Sequence, residues 1–130
     1  MSSEPGLPVV LSVPAQPSYL RLVRLVVASM AADAGFDFDS VEDLRIAADE
    51  LINTVMSVTH PGATVSIEVL VHDGQLILNS TAPAGADHAS VAVDPLAAQI
   101  LSALVDDSSF EVRGADVAAG FRKAAPVAVA

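Results

Sequence analysis

The sequence contains no cysteine. That excludes disulfides, thiol nucleophiles and thiolate zinc sites together, and it fits a reducing compartment. Tryptophan is also missing, and the aromatics amount to four Phe and one Tyr, so a core must be assembled from Val, Leu, Ile and Ala. Basic residues are scarce: six Lys and Arg stand against sixteen Asp and Glu, for a formal net charge of −10. A nucleic-acid binder neutralises phosphates with a basic stripe, and the absence of one excludes direct DNA or RNA binding. The N-terminus has no basic segment followed by an apolar one, and no apolar run is long enough to cross a bilayer. These absences predict a soluble, cytoplasmic protein without membrane contact, whose acidic surface suits a basic partner.

What is present fills one domain of ordinary size, since the chain has 130 residues. Residues 1–7 read as a disordered lead-in, residues 8–124 as a single domain and residues 125–130 as a tail. Pro8 and Pro14 bound a short β-branched edge strand. Pro17 suits the first turn of a helix whose apolar stripe runs through Leu20, Val23, Val27, Met30 and Ala34, with Gly35 as its stop. Asp39 or Ser40 is the expected cap of a second helix, Asp39 and Glu42 having capping-box spacing. Val65, Ile67, Val69 and Val71 alternate up to Asp73-Gly74, a type I′ turn signal, and Leu76 and Leu78 continue beyond it. That turn predicts Val71 opposite Leu76 and Val69 opposite Leu78. Asp94-Pro95 opens a third helix, and residues 109–113 and 117–123 form a last strand pair around Gly114. The order predicts an α+β fold: a two-layer sandwich with an antiparallel sheet and helices on one face.

The second helix, Asp39 to Thr59, carries the chemistry. Its stripe of Val41, Leu44, Ala48, Leu51, Val55 and Val58 steps by three and four. On the flank sits Glu50, a carboxylate that a plain amphipathic helix does not need. At about 100° per residue, Thr54 lies on the same side as Glu50, whereas Asn53 points towards solvent. The plain account of Glu50 is a partly exposed helix carboxylate paired with a nearby Lys or Arg. Arg24 reads as a solvated charge, and Arg45 as a solvated residue or as the intrahelical partner of Asp49. His60, His72 and His88 fall in turns or loops without metal-ligand spacing.

The element order, the arginines of the first helix and the run DLRIAADELINTV resemble the stand-alone GHKL-type ATPase domains of bacterial anti-sigma factors, the RsbW-like serine kinases. The likeness spans roughly Val9 to Lys123. It implies a Glu followed four residues later by an Asn, the first orienting or deprotonating the attacking group and the second holding magnesium on the ATP phosphates. Glu50 matches the Glu, as a vestigial base. Thr54 stands in the Asn position as the metal ligand, and Asn53 is the weaker alternative for the cofactor site. The family's Asp-x-Gly-x-Gly motif, which reads adenine, falls near Ala82, and only Gly85 remains of its glycines. The Gly-rich turn that cradles phosphate is replaced by Val93-Asp94-Pro95-Leu96. Arg21 matches an arginine that contacts the sigma factor and the anti-anti-sigma protein. The resemblance therefore implies a homodimeric anti-sigma factor that sequesters a sigma factor, is countered by a STAS-type anti-anti-sigma protein, and has lost or weakened its ATP and kinase function, with no cofactor expected. Its rivals are an active serine kinase that uses ATP and Mg2+ and a pseudo-ATPase dimerisation scaffold.

Overall fold

Alternation of apolar residues builds the sheet of this chain, which a computed structural model describes over residues 6–85 and 94–126. The first five residues of the expected lead-in, residues 86–93 and the end of the tail lie outside the described residues. In chain order come β1 (Val9–Pro14), a 3-10 turn (Pro17–Tyr19), α1 (Leu20–Asp33), α2 (Phe38–Val58), β2 (Thr64–His72), β3 (Gln75–Pro83), α3 (Pro95–Leu104), β4 (Asp107–Arg113) and β5 (Asp116–Ala124). The five strands lie in the order β1-β2-β3-β5-β4 with every neighbour antiparallel. This is the expected α+β architecture, and β1 is the edge strand that its flanking prolines predict.

The β2–β3 hairpin has the predicted register, Val71 opposite Leu76 and Val69 opposite Leu78. Asp73 and Gly74 both adopt positive φ, 51° and 72°, as a type I′ turn requires. One face of the sheet is lined by Val65, Ile67, Leu76, Leu78, Val117 and Phe121, all buried, and the helices lie against it. The opposite face carries Ser66, Asn79 and Thr81. Gly120 is buried on β5 because the Asn79 side chain lies across it; a Cβ there would sit 2.6 Å from both Asn79 Oδ1 and the Leu78 carbonyl oxygen.

Helix ends follow local chemistry, with one correction. At the end of α1, Gly35 takes φ 87°, and the Phe36 and Gly35 N–H groups donate to the Ala31 and Ala32 carbonyls, the hydrogen-bond pattern of a Schellman stop. Asp94 caps α3 by accepting from the Leu96 N–H at 2.9 Å, as expected. The cap of α2, however, is Asp37 and neither Asp39 nor Ser40: its carboxylate accepts from the Ser40 N–H at 2.8 Å. The tight turn after Gly35 leaves Asp37 extended and lets the helix start at Phe38, two residues earlier than a cap at Asp39 allows.

Two outcomes follow from these contacts. The Ser40 N–H holds the Asp37 carboxyl below its ordinary value of 3.8. A lowered folded-state pKa contributes stability that is present above the unfolded value and lost as pH falls through the folded one. Asp37→Ala therefore lowers the urea midpoint at neutral pH, and its deficit against the parent closes as pH falls below 3.8. Gly120→Ala costs about 1–3 kcal/mol by overpacking against β3, measured by the same urea unfolding.

Candidate functional site

The inward stripe of α2 is fully buried at Leu44, Ala48, Leu51, Ile52 and Val55, which leaves the helix two accessible flanks. One faces α3. Lys123 on β5, its side chain 17% exposed, donates from Nζ to the Leu104 carbonyl at 2.9 Å and lies 3.9 Å from Asp43 Oδ2. It therefore ties the last residue of α3 to the second turn of α2. Glu50 and Thr54 continue the Asp43 flank seven and eleven residues on. The Thr54 hydroxyl donates to the Glu50 carbonyl at 2.9 Å. Asn53 is exposed on the outer side while Glu50 and Thr54 are half-buried. The structure thus brings Glu50 and Thr54 together and leaves Asn53 apart, the division that the 100° wheel predicts. Glu50 makes no ion pair among the described residues, unlike the paired carboxylate of its plain account.

At the C-terminal end of α2 the backbone after β3 is fastened to the helix. Thr59 bridges Ala84, the His60 N–H donates to the Pro83 carbonyl at 2.8 Å, and the Gly85 N–H donates to the Val58 carbonyl at 2.9 Å. Ala82, where the adenine-reading carboxylate would fall, is 4% exposed and belongs to the hydrophobic core. A methyl group there accepts no hydrogen bond. At the start of α3, Pro95 has no N–H, the Leu96 N–H is held by the Asp94 carboxylate, and the Ala98 N–H donates to the Asp94 carbonyl. Helix N-termini bind phosphate through free N–H groups and a positive field. Of its first three positions this one lacks a donor at Pro95 and occupies the one at Leu96, and it places an anion at its mouth.

The other flank of α2 faces α1. Arg24 Nη1 reaches Asp49 Oδ1 at 2.5 Å, an ion pair joining the two helices, and Arg45 Nη1 reaches Glu42 Oε1 at 2.7 Å. Both pairings correct the sequence expectation: Arg24 is paired rather than solvated, and Asp49 is the partner of Arg24 and not of Arg45. Arg21 is exposed and unpaired among the described residues. With Arg24, Leu25, Ala28 and Arg45 it lines a surface depression of about 380 Å3. Leu25 at 66% and Ile46 at 46% exposure are apolar side chains left open here, and sequence reading passes over both. Their signal is a large aliphatic residue outside the buried stripe, beside half of the chain's six basic residues.

His60 and His72 belong to no metal-binding group among the described residues. His60 Nδ1 lies 2.9 Å from the Pro61 carbonyl oxygen, His72 Nε2 lies 3.2 Å from Asp73 Oδ2, and His88 is outside the described residues. Among the described residues, no group of three or more His, Asp or Glu is placed to hold a metal ion, and no helix is long and apolar enough to cross a membrane.

A helix layer over a five-stranded antiparallel sheet, with a Glu-bearing α2 at its centre, defines a class. The family model of the histidine kinase-like ATPase domain matches residues 13–125, and the chain belongs to that family. Within it the resemblance to RsbW-like proteins is borne out. The chain is 32% identical over 71 residues to the serine-protein kinase RsbW of Listeria monocytogenes, covering 52% of this chain and 45% of that protein. It is 31% identical over 97 residues to the anti-sigma-F factor RsbW of Mycobacterium tuberculosis, covering 75% and 57%. It spans about half the length of these relatives. The crystal structure of the RsbU and RsbW domains of a Mycobacterium tuberculosis protein superposes with a TM-score of 0.73 at 14% identity, over 92% of this chain and 33% of that one, a likeness of fold.

The interhelical pair is the one feature of this flank whose strength can be read directly. Arg24 and Asp49 are each more than a third exposed. An Arg24→Ala/Asp49→Ala double-mutant cycle gives a coupling of about 0.2–1 kcal/mol, and the coupling shrinks as salt is added.

Proposed function

We propose that this domain is an anti-sigma regulatory factor that acts by binding. It sequesters a sigma factor on the α1–α2 face around Arg21 and gives it up when a STAS-type anti-anti-sigma protein competes. The observation that carries this reading is the contrast between the two flanks of α2. On the α1 side, Arg21 has no ion-pair partner among the described residues and stands beside exposed Leu25 and Ile46. A free arginine next to open apolar surface is the combination that anchors protein interfaces. On the α3 side, the residues present do not fit ATP and Mg2+. Ala82 accepts nothing from adenine, Asp94 and Pro95 set an anion and a missing donor at the helix terminus, and Thr54 offers a hydroxyl where an Asn would offer a stronger carbonyl ligand. The relatives named serine-protein kinase and anti-sigma-F factor support both halves of the ancestry. The acidic surface raises the on-rate towards basic segments of a sigma factor more than it raises affinity. In this reading the protein is cytoplasmic, homodimeric and without a cofactor.

A second reading keeps the serine kinase, with Glu50 as base and Thr54, or a rearranged Asn53, as metal ligand. The observation that favours it is the half-buried Glu50 carboxylate without an ion pair among the described residues. A dimerisation scaffold has no observation of its own here.

The test is capture of host sigma factors and anti-anti-sigma proteins by the purified, tagged chain. The intact protein retains a sigma factor, Arg21→Ala weakens retention about tenfold or more, and Glu50→Ala leaves it unchanged. Recovery of neither partner contradicts the proposal, and loss of retention on Glu50→Ala transfers weight to the kinase.

A further inference from the structure

Strand β4 closes the sheet on the α3 side, and β5 is its one neighbour among the described residues. The two-residue turn Gly114-Ala115, with Gly114 at φ 60°, joins the two strands and makes Arg113 and Asp116 a hydrogen-bonded pair. Bonding alternates along an antiparallel ladder, so Glu111, Ser109 and Asp107 also spend their backbone groups on β5. Ser108, Phe110 and Val112 turn theirs outward. At the foot of the strand the Asp106 N–H donates to the Arg122 carbonyl, although Asp107 is the residue opposite Arg122; this bulge ends the regular edge. Between bulge and turn the edge offers three N–H and three C=O groups at the alternate spacing of an extended chain.

Free edges are normally blunted by proline or by open charge. Strand β4 has no proline, and the charged side chains along it are paired off on the sheet face away from the helices. Arg113 is tied to Glu111, and Arg122 of β5 lies 3.6 Å from Asp107. On the other face, Phe110 and Val112 are half-buried against the core. Above them stands α3, uncharged from Pro95 to Val105.

The flank of α3 that turns to this edge is built from small side chains. Ser102 lines a depression of about 190 Å3 with Val105, Asp106, Asp107 and Ser108. Ala98 lies one turn earlier on the same flank, and both residues are exposed. An edge strand beside such a helix flank forms a groove, with backbone groups along one wall and room for side chains under the other. Its foot is negative. Asp106 and Asp107 stand there against the single guanidinium of Arg122, and one oxygen of Asp106 already accepts from the Ala124 N–H. In a chain of net charge −10, a basic segment complements this end and an acidic one is repelled.

We infer that the groove between β4 and the Ala98–Ser102 flank of α3 takes an extended, basic segment of a partner protein as an added strand. The segment turns apolar side chains in beside Phe110 and Val112 and sets a Lys or Arg at Asp106 and Asp107. This site lies across α2 from Arg21 and does not rest on the sigma-factor reading.

The probe is a capped heptapeptide of alternating Val and Thr with Lys at both ends, titrated into the full chain. It binds saturably. At saturation, amide exchange slows about tenfold or more at Ser108, Phe110 and Val112 and stays the same at Ser109 and Glu111, which already bond to β5. N-methylation of the peptide at the positions facing β4 weakens binding about fivefold or more, whereas N-methylation at the intervening positions leaves it unchanged. Glu in place of the terminal Lys residues abolishes binding, and Asp107→Asn weakens it about threefold. Ser108→Pro removes an outward N–H that the monomer does not use, and weakens binding about fivefold with an unchanged circular dichroism spectrum. If that variant fails to fold, amide exchange of the parent decides. Absence of saturable binding at millimolar peptide overturns the inference. So does binding that leaves the three outward amides unprotected, or equal binding of the Glu peptide. An assembly of the peptide-free chain that Ser108→Pro splits in sedimentation assigns the edge to a second copy and overturns it as well. All of these readouts use the isolated chain, so the sigma-factor reading stands or falls apart from them.

Discussion

Burial of one helix stripe holds this molecule together. Leu44, Leu51, Ile52 and Val55 of α2 are almost fully out of water, and each contributes about 1.5–3 kcal/mol relative to an exposed position. The stripe packs on the sheet face at β3 and β5, while α1, which also lies on β2, and α3 run along the two sides of the same helix. The end of β3 is fastened to its last turn by the Thr59–Ala84 bridge and the bonds around Pro83 and Gly85. Because α2 touches both other helices and the sheet, its two flanks are fixed in space by packing. What those flanks carry is free to change without changing the fold.

The two flanks have diverged in chemistry. Towards α3 stand Glu50, where the resemblance expects a Glu, and Thr54, where it expects an Asn. The groups that must act with them are apolar or already satisfied: Ala82 sits in the core, and Asp94 uses its carboxylate to cap α3. Towards α1, arginines and open aliphatic side chains surround a depression in an otherwise acidic molecule. A nucleotide site needs several converging polar groups at once. A protein interface tolerates substitution at most positions and depends on a few anchors.

Sequence reading reached the features that local chemistry determines. Asp73-Gly74 specified the hairpin and its register, Gly35 the stop of α1, and Asp94-Pro95 the start of α3, because each acts through its own φ or its own side chain within a few residues. The wheel separated Thr54 from Asn53 for the same reason. The cap of α2 escaped it because Asp37 and Asp39 offer the same side chain, and the turn geometry after Gly35 chooses between them. The Arg24–Asp49 pair escaped it because 25 positions separate its partners and their meeting depends on how α1 and α2 cross.

The account divides most cleanly on whether the α3 flank of α2 still takes a nucleotide. Isothermal titration of the purified chain with ATP and Mg2+ measures this directly. The account predicts no saturable heat even at millimolar nucleotide. Saturable binding that disappears on Glu50→Ala or Thr54→Ala would contradict it and restore the kinase.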